Sequence, residues 1–214
     1  MLACTGAVRA GAGMVRFTGA AEVAGRVLDA LPNVVIGDGR VQARVMGCGW
    51  GERTYGNGVI AAAVESGVPL VVDADGLGYL PARLHENVLL TPHAGELARL
   101  LGCGRDDVEA DPLAAVREAA GRFGATMLLK GATQLVASPG GRVRVAVPGP
   151  AWTAQAGSGD VLAGVCGALM AAGLSAGDAA LAGASLQAMT AAAHPGPRPP
   201  QELAELFVET IGAW

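Results

Sequence analysis

Val68-Pro69-Leu70-Val71-Val72-Asp73-Ala74-Asp75 is the stretch that decides the fold. Residues 68–72 are apolar at every position. A strand with one wet face would alternate, whereas an unbroken run suits a strand covered on both faces, as in a parallel sheet between helical layers. The run stops at two acids. In open α/β sheets, ligands bind beyond the carboxyl ends of the strands, so Asp73 and Asp75 are site candidates by position alone.

The pattern repeats on both sides of this segment. Upstream, residues 40–46 read as a strand entering a glycine loop, Gly47-Cys48-Gly49-Trp50-Gly51, followed by a helix over 57–66 that Gly67 closes. Downstream, 87–91 is a strand and 94–101 a short helix ending at Gly102. Asp111 offers an N-cap and Pro112 the favoured first helical position. Leu113, Val116, Ala120 and Phe123 then recur on one helical face. Residues 126–130 form a strand, and 134–137 with 142–147 flank a hairpin turn at 138–141. Gly157-Ser158-Gly159-Asp160 opens a long uncharged helix. Further helices are expected over 178–193 and, past the Pro-rich 194–200 loop, over 201–211. At the start, 2–12 reads as a helix and 14–18 as a strand. The alternation predicts an α/β fold with a mostly parallel central sheet. With no repeat and no linker, 1–214 reads as one domain.

Composition narrows the function. A net charge of −4 with no basic run argues against a nucleic-acid partner. Apolar residues make up 51% and charged residues 16%, which excludes a disordered chain. The four cysteines, Cys4, Cys48, Cys103 and Cys166, lie far apart, with neither a CxxC pair nor a disulfide framework, so a reduced, cytoplasmic setting is expected. Mean hydropathy is +0.40, and residues 161–177 and 179–197 carry no charge. Both are rich in Ala and Gly and are bounded by Asp160 and Asp178, so they read as buried helices of a soluble core and not as membrane spans. The first residues lack the basic region and the apolar length of a signal peptide.

Four motifs carry possible chemistry. In Gly157-Ser158-Gly159-Asp160, glycines at a helix start let free amides converge on an anion such as a phosphoryl group. Asp160 there either accepts a proton from a hydroxyl or simply caps the helix. Lys130 is the only lysine beside fourteen arginines. It begins Lys130-Gly131-Ala132-Thr133-Gln134 at a strand end, where it either meets a polyphosphate as a compact point charge or is a solvated surface residue. In Thr91-Pro92-His93-Ala94-Gly95-Glu96, His93 suits a substrate contact and Glu96 a metal held through water; the plainer alternative is helix capping by both. Asp73 and Asp75 suit Mg²⁺, which takes one or two carboxylates beside phosphate oxygens, or else they close local turns. His85 and His194 have no comparable setting and read as surface or loop residues. The 47–51 loop has neither a Walker A nor a dinucleotide-fold spacing.

Together, Arg9-Ala10-Gly11-Ala12-Gly13, the 47–51 glycine loop, the 71–77 run VVDADGL, the 89–102 run LLTPHAGELARLLG, the 128–139 run LLKGATQLVASP and the 152–173 run WTAQAGSGDVLAGVCGALMAAG resemble the NAD(P)H-hydrate dehydratase family, a branch of the ribokinase-like fold. The resemblance covers nearly the whole chain. It implies a three-layer α/β/α architecture and repair of hydrated NADH and NADPH. The family uses ADP in bacteria and archaea and ATP in eukaryotes, with Mg²⁺ accompanying the phosphates. By position it implies substrate contacts at Gly49, His93 and Asp160. The nucleotide falls on Lys130, Gly131, Ala132, Thr133, Gln134 and Gly159, the anion hole on Gly157, Ser158 and Gly159, and the catalytic base on Asp160. Metal roles for Asp73, Asp75 and Glu96 follow from fold position.

Two departures are expected. The family's opening strand and glycine-rich loop should precede residues 9–13 and are missing here, as is the epimerase domain often fused upstream. Residues 19–46 look shorter than usual. Alternatives are a ribokinase-like kinase of a small vitamin-precursor alcohol and an inactive nucleotide-binding fragment. Family analogy implies a tetramer.

Overall fold

The computed structural model describes residues 1–213. In chain order its elements begin with α1 (Leu2–Arg9), β1 (Arg16–Phe17), α2 (Ala21–Ala30), β2 (Val35–Ile36), β3 (Arg44–Met46), α3 (Gly56–Glu65) and β4 (Leu70–Val72). Next come β5 (Val88–Leu90), α4 (Ala94–Leu101), α5 (Arg105–Ala110), α6 (Pro112–Phe123), β6 (Thr126–Leu129), β7 (Leu135–Ala137) and β8 (Val143–Val145). Helices α7 (Ser158–Ala171), α8 (Ala176–Ala193), α9 (Pro200–Glu205) and α10 (Phe207–Gly212) follow.

Strands β3 to β8 form one sheet in sequence order. Pairs β3–β4, β4–β5 and β5–β6 are parallel; β7–β8 is the antiparallel hairpin expected around 138–141, and β7 also pairs antiparallel with β6. Strands β1 and β2 pair with each other in a separate parallel ribbon.

The unbroken apolar runs serve two cores at once. Leu70, Val72, Val88, Leu90, Met127 and Leu129 face the layer of α3, α4 and α6. Val71, Leu89 and Leu128 face α7 and α8 on the other side. Each strand thus alternates between two dry faces, and side-chain period two is hidden in a sequence that shows no polar partner.

Past Asp160, helix α7 is uncharged for a related reason. Leu162, Ala163 and Cys166 meet the sheet, while Val161 and Val165 meet the outer layer that includes α9 and α10. Helix α1 also lies on it. A methyl group built on Gly6 would strike the Val161 carbonyl, and one on Gly164 would strike that of Ala3, so only glycine permits this approach. No helix among the described residues is long and apolar enough to cross a membrane.

Most expected elements appear, with shifted ends. The 40–46 strand contracts to β3. The 201–211 helix breaks into α9 and α10 at Leu206. Asp111 caps α6 by accepting the Ala114 amide, and Val116, Ala120 and Phe123 are buried as the periodicity requires. Leu113 is 41% exposed, because the cap places the first turn outside the core. Helices α2 and α5 and strand β2 lie outside the expected elements; α2 buries only Val27, and α5 only Val108.

Candidate active site

Four parallel strands end at one rim. Beyond β3 lies Gly47, beyond β4 Asp73, beyond β5 Thr91-Pro92-His93, and beyond β6 Lys130. Ladder bonds continue past the strand ends: Asp73 N–H donates to Met46 O (3.0 Å), Thr91 N–H to Val72 O (3.2 Å) and Lys130 N–H to Pro92 O (2.8 Å). The reactive side chains therefore stand on backbone fixed by the sheet.

The rim opens into a cavity of about 520 Å³. Asp73, His93, Lys130, Gln134, Gln187 and Asp160 contribute to its wall, as do the backbone of Gly131-Ala132 and the whole 153–159 turn. Gly157 opens α7 with φ +87, a left-handed backbone that residues with a Cβ rarely adopt; the Ser158 amide already donates to the Gln155 carbonyl (3.1 Å), which leaves the Gly159 and Asp160 amides in the first turn without an intrahelical acceptor. Ser158 spends its hydroxyl on the Gln155 carbonyl (2.8 Å), and buried Gln187 donates to the Ser158 carbonyl (3.1 Å). Both bonds brace the turn from behind.

Lys130 crosses to Asp73, Nζ to Oδ1 at 2.6 Å, with Asp73 only 1% exposed and Lys130 19%. Glu96 Oε2 lies 3.9 Å from the same ammonium. Gly159 sits directly above this pair. A Cβ there would lie 3.0 Å from Lys130 Nζ and 3.6 Å from Asp73 Oδ2. Asp160 follows in the first turn of α7. Burial and then the Asp73 carboxylate push its pKa above the ordinary carboxylate range, against the pull of the Cys48 thiol and Lys130.

His93 and Glu96 form a reciprocal capping box. The Glu96 amide donates to His93 Nδ1 (3.2 Å), and the His93 amide donates to Glu96 Oε2 (2.8 Å). His93 Nε2 lies 3.5 Å from Glu96 Oε1, and the ring is 55% exposed on the cavity side. Capping and a ligand contact are therefore compatible for His93.

Asp75 turns away from the cavity and accepts the Gly51 amide at 2.8 Å, tying down the 47–51 loop. Gly47, at φ +106, packs so closely on this segment that an added methyl would strike the Asp73 carbonyl. Gly49 stands exposed at the loop tip; it, Thr133, Asp75 and Glu96 lie outside the cavity lining. The fold thus gathers Asp73, His93, Lys130, Gly131, Ala132, Gln134, Gly157, Ser158, Gly159 and Asp160 at one cavity.

Cys48 was not a sequence candidate, yet its Sγ and one carboxylate oxygen each of Asp73 and Asp160 all lie within 4.8 Å of one another. Its place inside a glycine loop at a strand end was the available signal. Gln187 could not be found in that way, since it reaches the site from the middle of a long helix. His85 and His194 stay on loops: His85 contacts the Val64 carbonyl and His194 contacts Glu209.

The family model for NAD(P)H-hydrate dehydratase matches residues 1–211. The chain belongs to that family. It is 45% identical over 209 residues to the bifunctional NAD(P)H-hydrate repair enzyme Nnr of Mycobacterium leprae, covering 91% of this chain and 43% of that protein. It is 44% identical over 161 residues to the ADP-dependent (S)-NAD(P)H-hydrate dehydratase of Neisseria meningitidis serogroup B, covering 71% of this chain and 54% of that one. The chain thus spans about half the length of these curated relatives. The solved ADP/ATP-dependent NAD(P)H-hydrate dehydratase of Bacillus subtilis, co-crystallized with ATP/Mg²⁺ and soaked with CoA, superposes with a TM-score of 0.90 at 22% identity, over 99% of this chain and 85% of that one. The shared architecture is the ribokinase-like α/β fold.

Proposed function

We propose that this chain carries the ADP-dependent dehydration of (S)-NADHX and (S)-NADPHX to NADH and NADPH. The observation that supports it most directly is the meeting of Asp160, the glycine turn of α7 and Lys130 in one cavity, within a chain of the dehydratase family.

The hydrate's ring hydroxyl lies against Asp160, which takes its proton. The freed oxygen attacks the terminal phosphorus of ADP, and the bond to the AMP oxygen breaks. Charge on the phosphoryl oxygens meets the amides at the head of α7 and the Lys130 ammonium. Phosphate then leaves the ring carbon with the bonding electrons, the neighbouring carbon loses a proton, and the ring double bond returns. A base must be unprotonated yet hold a proton well, and the raised proton affinity of Asp160 suits that task. The nucleotide falls on Lys130, Gly131, Ala132, Thr133, Gln134 and Gly159, and the hydrate on Gly49, His93 and Asp160.

Asp73 at the cavity wall, with Glu96 behind it, fits a Mg²⁺ ion carried by the phosphates. Asp73 and Glu96 both face the Lys130 ammonium and would hold the ion directly or through water, whereas Asp75 is committed to Gly51. When bound, Mg²⁺ supplies charge neutralisation of the phosphates. A cytoplasmic setting and a homo-oligomer, a tetramer by family analogy, go with this reading.

The test incubates the protein with (S)-NADPHX, Mg²⁺ and ADP and follows the absorbance of the restored dihydronicotinamide. Recovery should depend on nucleotide, and Asp160→Asn should slow it by roughly 10²–10⁴-fold with nucleotide binding retained. Absence of nucleotide-dependent recovery overturns the proposal, and a stable phosphate ester on the substrate would point to a kinase.

A further inference from the structure

We propose that Cys48, Asp73 and Asp160 form a binding site for one divalent cation of the Zn²⁺ class, through sulfur and two carboxylate donors. Three separate elements supply the ligands: the loop after β3, the end of β4 and the first turn of α7. Their spacing is set by packed backbone, because the Gly47 Cα rests against the 73–76 segment. The donor atoms already lie within 4.8 Å of one another. Around tetrahedral Zn²⁺, with bonds of about 2.0–2.3 Å, donors sit roughly an ångström closer, a gap that side-chain rotation covers.

Charge favours the same ion. A Cys48 thiolate and two carboxylates carry three negative charges, and Lys130 offsets one of them. A divalent cation brings the cluster to neutrality. Lys130 engages Oδ1 of Asp73, while Oδ2 lies on the Gly159 side. A thiol ligates a metal as its thiolate, so metal binding displaces the Sγ proton to solvent. Mg²⁺ prefers oxygen ligands and retains its water, whereas a thiolate selects a softer ion.

The binding claim stands on these residues alone. Its consequence, that Zn²⁺ inhibits by occupying Asp160, rests on the proposed dehydratase reaction. The probe is Cd²⁺, whose thiolate charge-transfer band reports sulfur ligation. The background is Cys103→Ser, since Cys103 is an exposed thiol that would bind independently. One equivalent of Cd²⁺ should produce the band and release about one proton. Cys48→Ser and Cys48→Ala should each abolish the band, and Asp160→Asn should weaken binding at least tenfold. Millimolar Mg²⁺ should not displace the ion. A band that persists in both folded Cys48 variants, or an affinity unchanged in Asp160→Asn, overturns the site. None of these readings uses turnover, so failure of the site and failure of the dehydratase proposal are distinguishable.

Discussion

Two ion pairs of this molecule have the same length and opposite meaning. Lys130–Asp73 and Arg144–Asp178 both close at 2.6 Å. The first lies at the carboxyl ends of the strands, where Asp73 is 1% exposed. The second lies at the other end of the sheet, where Asp178 is 57% exposed at the start of α8. A buried carboxylate has lost its water and depends on its partner, whereas an exposed one exchanges a contact for hydration at little net gain. Distance alone says nothing of this difference. Burial makes Lys130–Asp73 a charged platform under Gly159 and Asp160, and it leaves Arg144–Asp178 as surface dressing.

Removing the buried cation should give the largest effect. Lys130→Ala strands Asp73 without a partner and should cost about 3 kcal/mol in denaturant unfolding. It should also abolish measurable nucleotide binding. The double variant Lys130→Met with Asp73→Asn should recover more than half of that stability. No recovery would mean that the ammonium packs rather than pairs. Lys130→Arg keeps charge but changes size and donor geometry, so nucleotide affinity should fall in calorimetry while the fold persists.

Asp160→Asn sharpens the comparison from the other side. Its folded pKa is raised by burial and by Asp73, so stability falls as pH rises through the window above the ordinary carboxylate range. Deleting the charge should raise the neutral-pH melting temperature while slowing turnover as above. By the same shift, the acid limb of kcat/KM should sit above the usual Asp range. An unshifted limb would separate Asp160 from the proton transfer.

The exposed pair should show the smallest effects. Arg144→Ala should change unfolding stability by less than about 1 kcal/mol, and salt should erase the difference. The Ser175 hydroxyl and then Arg144 hold Asp178 below the ordinary carboxylate range. Its contribution is therefore present above that range and fades as pH falls through the lowered value. Wild type and Arg144→Ala should converge in acid melts, and divergence there would assign Arg144 a partner other than Asp178.

The sequence by itself determined the layered α/β order, since unbroken apolar runs and helical periodicity are local signals of two-sided and one-sided burial. It also placed the chemical candidates at strand ends and at the start of α7, because glycine, proline and capping residues mark chain direction within a few positions. The His93–Glu96 spacing suits helix capping, which the capping box at the start of α4 fulfils. Two helices stayed outside the expected elements: α5 is only six residues, too short to show a period, whereas the Val23, Val27 and Leu28 spacing of α2 was a legible stripe, of which only Val27 is buried. Tertiary structure alone decided which candidates share a site. It joined Lys130 to Asp73 across 57 residues, turned Asp75 away to Gly51, brought Gln187 in from mid-helix, and set Cys48 beside Asp160. Those pairings depend on strand order and on close helix contacts such as α1 on α7. Such long-range geometry leaves no period in the chain, and it fixes which buried charges must answer one another.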